Sequence, residues 1–155
     1  MERIASFTVD HDVLVPGLYL SRRDGQVTTF DLRFKKPNTG DLLSNAQMHS
    51  VEHIIATLLR NSEAKDAVIY FGPMGCQTGF YFLFDGAQLT DAAAIALLQQ
   101  VFSAAAVYDG AMPGQSAKEC GNYANLDTAL ARECCAFYAA VIAGWTVEQL
   151  AYPEA

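Results

Sequence analysis

"DVLVPGLYLSRRDGQVTTFDLRF", residues 12 to 34, holds two apolar runs, 12–20 and 26–34, on either side of the turn-rich "SRRDG". In the second run Val27, Thr29, Asp31 and Arg33 alternate with Phe30, Leu32 and Phe34. A period of two sends neighbouring side chains to opposite faces of a strand, so this stretch predicts two strands of an antiparallel sheet with one aromatic face turned to a core. "PNTGD" then ends the sheet. A helix is predicted from Ser44, which has capping-box spacing to Gln47, to about Arg60. "DAVIYF" and "GFYFLFDG" read as two more strands around a glycine-rich loop. Thr90 is placed to cap a long helix through "DAAAIALLQQVFSAAAVY", and Asn125 to start the last one. No repeat or linker divides the 155 residues. The expected fold class is α+β, a single domain in which an antiparallel β-sheet is layered with α-helices.

Composition narrows the function. A formal net charge of −7, with only ten Lys and Arg scattered along the chain, argues against nucleic acid and against anionic membrane surfaces as partners. The opening "MERIASFTVD" lacks the basic-then-apolar pattern of a signal peptide, and Gln99 and Gln100 interrupt the most apolar region. A soluble, cytoplasmic protein is therefore expected. Its four cysteines should be reduced thiols. Cys134 and Cys135 fall in a helical pattern where cysteine behaves as a small hydrophobe. Cys76 and Cys120 lie instead in glycine-containing loops, "GPMGCQTG" and "KECGN".

The helix at "MHSVEHIIATLL", residues 48 to 59, carries chemistry as well as core. At about 100° per residue, His49, Glu52, His53, Ala56 and Arg60 share one stripe, and Val51, Ile54, Ile55 and Leu58 the opposite side. Two imidazoles four residues apart can reach one ion, with the carboxylate beside them free for acid or base work. The pattern H-x-x-E-H is the reversed zinc-protease signature; solvated helix histidines are its plain alternative. Cys120 is the best third ligand in the chain, and two histidines with one cysteine leave a fourth position open. Cys76 reads either as an incidental thiol in a tight turn or as a base or nucleophile held near a cation.

In chain order, "SFTVDH" (residues 6–11), "FDLRFKKPN" (30–38), "HSVEH" (49–53), "PMGCQTGFY" (73–81) and "ECGNY" (119–123) give the sequence a specific resemblance to the S-ribosylhomocysteine lyases, the LuxS-type proteins that make the autoinducer-2 precursor. The resemblance covers nearly the whole chain. It implies that His49, His53 and Cys120 hold one divalent metal per chain, ferrous iron in the family's native form, with zinc or cobalt able to substitute. It implies that Glu52 and Cys76 are the acid/base pair, and that Ser6, His11 and Arg33 contact the substrate S-ribosylhomocysteine. Ser6 and His11 are expected to reach into the neighbouring subunit's site, since the family is a homodimer with its active sites at the subunit interface. The implied reaction opens the ribose, moves its carbonyl along the sugar by two proton-transfer isomerisations, and expels homocysteine by β-elimination, leaving 4,5-dihydroxy-2,3-pentanedione.

The chain departs from the family at Tyr70 and Gly72, where many members carry an acidic residue and a serine, and the stretch between Asp10 and Gln26 looks shortened. The acidic group is a substrate contact in the family. Two other readings make different predictions. A small zinc-dependent hydrolase would use Glu52 to activate water and would survive loss of Cys76. A non-catalytic, metal-stabilised dimer would have a filled coordination shell.

Overall fold

The computed structural model describes residues 1–155. Four strands, β1 (Gly17–Asp24), β2 (Val27–Arg33), β3 (Val68–Pro73) and β4 (Gly79–Asp85), form one sheet in the order β1-β2-β4-β3. Every neighbouring pair is antiparallel. Three helices accompany it: α1 (Asn45–Arg60), α2 (Asp91–Ala106) and α3 (Thr128–Ile142). The α+β layering expected from the sequence is present.

The alternation in β2 and β4 sets which face is buried. Phe30 pairs with Phe82 and Leu32 with Phe80 across the central strands, and all four are sealed from solvent. The helices cover that face with Val51, Ile54, Ile55 and Leu59 from α1, Leu98 and Phe102 from α2, and Cys135 and Tyr138 from α3. Phe34 stacks on Tyr138 with ring centroids 4.2 Å apart. Truncating one such aromatic would cost about 3–5 kcal/mol, a large share of the stability of a domain this size. The Tyr138 hydroxyl is not left orphaned, because it donates to the Gly17 carbonyl at 2.8 Å and ties α3 to the start of β1.

The other face is polar in sequence but not open to water. Thr29, Asp31 and Arg33 are all buried. Tyr152, near the C-terminus, lies over this face, and a 3-10 turn at Ala5–Phe7 brings Ser6 and Phe7 to the cavity beside it.

The largest departures of element ends from the sequence reading are at β1 and α3, while α2 stops two residues short of Tyr108 and β3 lies two residues later than expected. β1 begins at Gly17, after Pro16, and its turn is only Asp24 to Val27, so "SRRD" belongs to the strand. Pro16 cannot donate to a ladder, which is why pairing starts after it. α3 is capped by Asp127, whose carboxylate accepts from the Ala129 and Leu130 amides, while Asn125 sits in the preceding 3-10 turn. The ends of α1 match expectation, with Ser44 and Gln47 forming the reciprocal capping box. No helix is long and apolar enough to cross a membrane.

Candidate metal centre and active site

After α1 turns its apolar stripe to the core, His49, Glu52 and His53 remain together on its other side, all half-buried. The two imidazoles lie with centroids 4.6 Å apart and planes at 88°. His53 Nδ1 is 2.7 Å from the Pro113 carbonyl, which can only accept, so that nitrogen carries the proton and Nε2 is free. His49 Nδ1 is 2.6 Å from Asn125 Oδ1. The Asn125 amide NH2 donates to Asn45 Oδ1, which fixes its oxygen toward the ring and again leaves Nε2 free. Orienting partners of this kind are what a ligating histidine needs. Gly114 makes the second one reachable: its φ is +71°, and a Cβ there would stand 3.1 Å from His53 Nδ1.

Cys120 Sγ comes to 3.3 Å from His49 Nε2 and receives the Asn122 amide at 3.4 Å. The three donor atoms lie within 4.8 Å of one another. Ions bound at zinc-like distances hold tetrahedral ligands roughly 3.3–3.7 Å apart, so the donors are already near the required spacing. Two imidazoles and one thiolate suit a borderline divalent ion and leave one position for an exogenous oxygen. In both spacing and donor set the three residues could hold a divalent metal ion.

A second group assembles elsewhere. Ser6, His11, Asp31, Arg33, Cys76 and Tyr152 line a cavity of about 290 Å³. Arg33 is held at both ends of its guanidinium, with Nη2 donating to Asp31 Oδ2 at 2.6 Å and Nη1 to Thr78 Oγ1 at 2.7 Å. Burial disfavours its charge, but the Asp31 carboxylate more than offsets this, so its pKa is raised and the cation is secure. Nη1 also stands 3.9 Å from Cys76 Sγ, and the thiol is 3.0 Å from Thr78 Oγ1. His11 Nδ1 is bound to the Val9 carbonyl at 2.9 Å, which orients the ring in the cavity. The loop carrying Cys76 is anchored by Gln77, whose φ is +63°. Gln77 exchanges hydrogen bonds with Leu43, just ahead of α1.

A second cavity of about 430 Å³, lined by His11, Asn38, Cys76 and Thr78 among others, adjoins the first through His11 and Cys76. Neither cavity takes a residue from α1 or from the Cys120 loop. The sequence-predicted residues therefore form two clusters. Ser6 and His11, expected to serve a neighbouring subunit, share their cavity with Arg33 and Cys76 of the same chain.

The S-ribosylhomocysteinase (LuxS) family model matches residues 4–148. S-ribosylhomocysteine lyases from Finegoldia magna and Desulfotalea psychrophila are 42% and 44% identical to the chain, each over 99% of it and all of the relative. One from Clostridium beijerinckii is 40% identical over the same shares. The chain belongs to the LuxS family. LuxS relatives of full length favour a carbon-sulfur lyase over a peptidase or an inert metal-stapled dimer. The LuxS motifs also absorb Cys76 and Cys120, whereas Cys134 and Cys135 are core residues whose thiols burial pushes up.

Sequence reasoning missed Asn125, Pro113 and Gly114 behind the histidines, and Asp31, Thr78 and Tyr152 behind Arg33. For Asp31 a signal existed, since it shares the polar face of β2 with Arg33.

Proposed function

We propose that the chain is an S-ribosylhomocysteine lyase whose working site joins the metal cluster of one subunit to the Cys76 cavity of another. The observation that carries the first half is the full-length relation to lyases together with the pre-oriented His49, His53 and Cys120 group. The second half rests on the two-cluster arrangement. Exposed apolar side chains border both clusters, Phe7 and Leu42 at the cavities and Tyr123 beside the Cys120 loop, as expected of surface that a homodimer covers. With Ser6 and His11 serving the partner's metal, Cys76 and Arg33 go with them.

The metal is ferrous iron, as the family implies, with zinc or cobalt as substitutes, in a cytoplasmic enzyme. Bound by His49, His53 and Cys120, it supplies Lewis acidity to a substrate oxygen. Glu52 stands beside it on α1, placed to move protons between adjacent sugar carbons. Cys76, brought from the opposite side, takes the proton beside the migrated carbonyl as the carbon-sulfur bond breaks. The departing homocysteine thiolate then accepts a proton, so the elimination balances without an oxidant. Arg33 supplies a cation and His11 an oriented imidazole for hydrogen bonding around the sugar and amino-acid ends.

Incubation with S-ribosylhomocysteine followed by thiol detection tests this directly. Homocysteine release should fall by about two orders of magnitude or more in Cys76→Ala, the usual scale for losing an acid/base group, with metal content unchanged. Normal release by that variant would overturn the thiol's role. No release by the unaltered, metal-loaded protein would overturn the lyase reading.

A further inference from the structure

The C-terminal tail reaches the Cys76 cavity, which Tyr152 helps to line. Leu150 accepts a hydrogen bond from the Leu20 amide at 2.8 Å, where the β1 pairing shifts register, and this lays the tail along the sheet edge. Tyr152 then stacks on Tyr19, with centroids 5.1 Å apart and planes at 24°. Its hydroxyl donates to Asp31 Oδ2 at 2.7 Å. Burial, and next the Asp31 charge, push the Tyr152 pKa up, so it remains a donor.

We infer that Tyr152 is a positioning residue for the Cys76 thiol, acting through Asp31 and Arg33. Asp31 Oδ2 takes both Tyr152 and Arg33, while Oδ1 is buried without a partner. One oxygen thus bears the whole load of a carboxylate that is 1% exposed. Arg33 Nε is likewise unpartnered, so the guanidinium is aimed only by Asp31 at one end and Thr78 at the other. Those same two residues, Arg33 and Thr78, are the polar contacts of Cys76 Sγ. Loss of the Tyr152 hydroxyl leaves the carboxylate with one donor, free to swing after the guanidinium, and the charge facing the sulfur moves with it. A tail that merely clasps the sheet would act through the ring and the Leu150 contact, not through the hydroxyl.

Tyr152→Phe keeps the ring and its stacking, so the fold should survive. The inference rests on the lyase reading for one of its two readouts. In the metal-loaded dimer, kcat should fall about tenfold with little change in KM. Independently of turnover, the rate of Cys76 alkylation by iodoacetate relative to iodoacetamide, read on the Cys76 peptide by mass spectrometry, should fall about threefold, because only the anionic reagent senses the displaced cation. An unchanged reagent ratio would overturn the inference while leaving the lyase reading intact. So would a variant that loses turnover but keeps the ratio, since Tyr152 would then act by another path. Inactivity of the unaltered protein, with the ratio shifted as expected, would instead count against the proposed function alone.

Discussion

At His49 and His53 the Nδ1 proton is fixed by partners 76 and 60 residues away in the chain, Asn125 and Pro113. The histidines themselves were legible because a helical wheel needs only local spacing. Their orienting partners were not, since nothing local distinguishes an Asn before a helix, or a Pro-Gly turn, that happens to meet an imidazole. Asn125 suits a helix start by residue type, but it lies in the preceding 3-10 turn, and Asp127, directly ahead of α3, accepts from the two free amides instead. Asn125→Ala should leave His49 free to rotate and to change tautomer, weakening metal affinity by about 10- to 100-fold, the usual cost of losing such a partner. Competition with a chelator measures this. Affinity equal to that of the unaltered protein would mean that the Asn125 contact does not set the ring. His53→Ala, which removes a ligand outright, should lose most of the metal.

Elements governed by strong local rules are legible in the sequence, and those shaped by their neighbours are less so. α1 has a reciprocal cap at one end, and at the other Arg60 donates to the Val68 and Ile69 carbonyls of β3, so sequence and structure agree at both ends. β1 depends on β2 for its extent, and its run of Ser21, Arg22 and Arg23 looks like a turn until the pairing with Thr28 and Thr29 is known. Buried contacts between elements also give a pH signature. The Tyr138 hydroxyl, sealed between α3 and β1, has its pKa raised well above 10.0, first by burial and then by the charges of Asp31 and Tyr19. Unfolded, it ionises near 10.0; folded, it keeps its proton. Above that pH the unfolded state binds fewer protons, so this group lowers unfolding free energy by about 1.4 kcal/mol per pH unit, and below it contributes nothing to the slope. Tyr138→Phe, which forgoes a hydrogen bond worth about 1 kcal/mol, should be the less stable protein at pH 9. Urea titrations at higher pH should then show the two proteins converging. Parallel declines would mean that Tyr138 ionises in the folded state as readily as outside it.

Across the fold, the family motifs name side chains without saying which surface carries them, and the structure sorts those side chains into two groups. Ser6, His11, Arg33 and Cys76 border one cavity; His49, His53 and Cys120 gather on and beside α1, with Glu52 between the histidines. A site made from one group of each subunit has a definite genetic consequence. A Cys76→Ala chain still offers a metal cluster with Glu52, and a Glu52→Ala chain still offers Cys76, so their mixed dimer regains one of two sites. With random exchange of equal amounts, half of the dimers are mixed, and recovery should approach about one quarter of the unaltered activity. Ser6→Ala mixed with Cys76→Ala should recover nothing, because each of the two sites then draws a damaged cavity from one chain or the other. The opposite result, with Ser6→Ala rescuing Cys76→Ala and Glu52→Ala failing to, would place the thiol with the metal of its own chain and Ser6 alone across the interface. Full activity in an isolated monomer would remove the shared site altogether. The two mixtures thus distinguish a dimer that shares whole catalytic halves from one that lends only a substrate contact, a distinction decided by which residues lie together around Cys76.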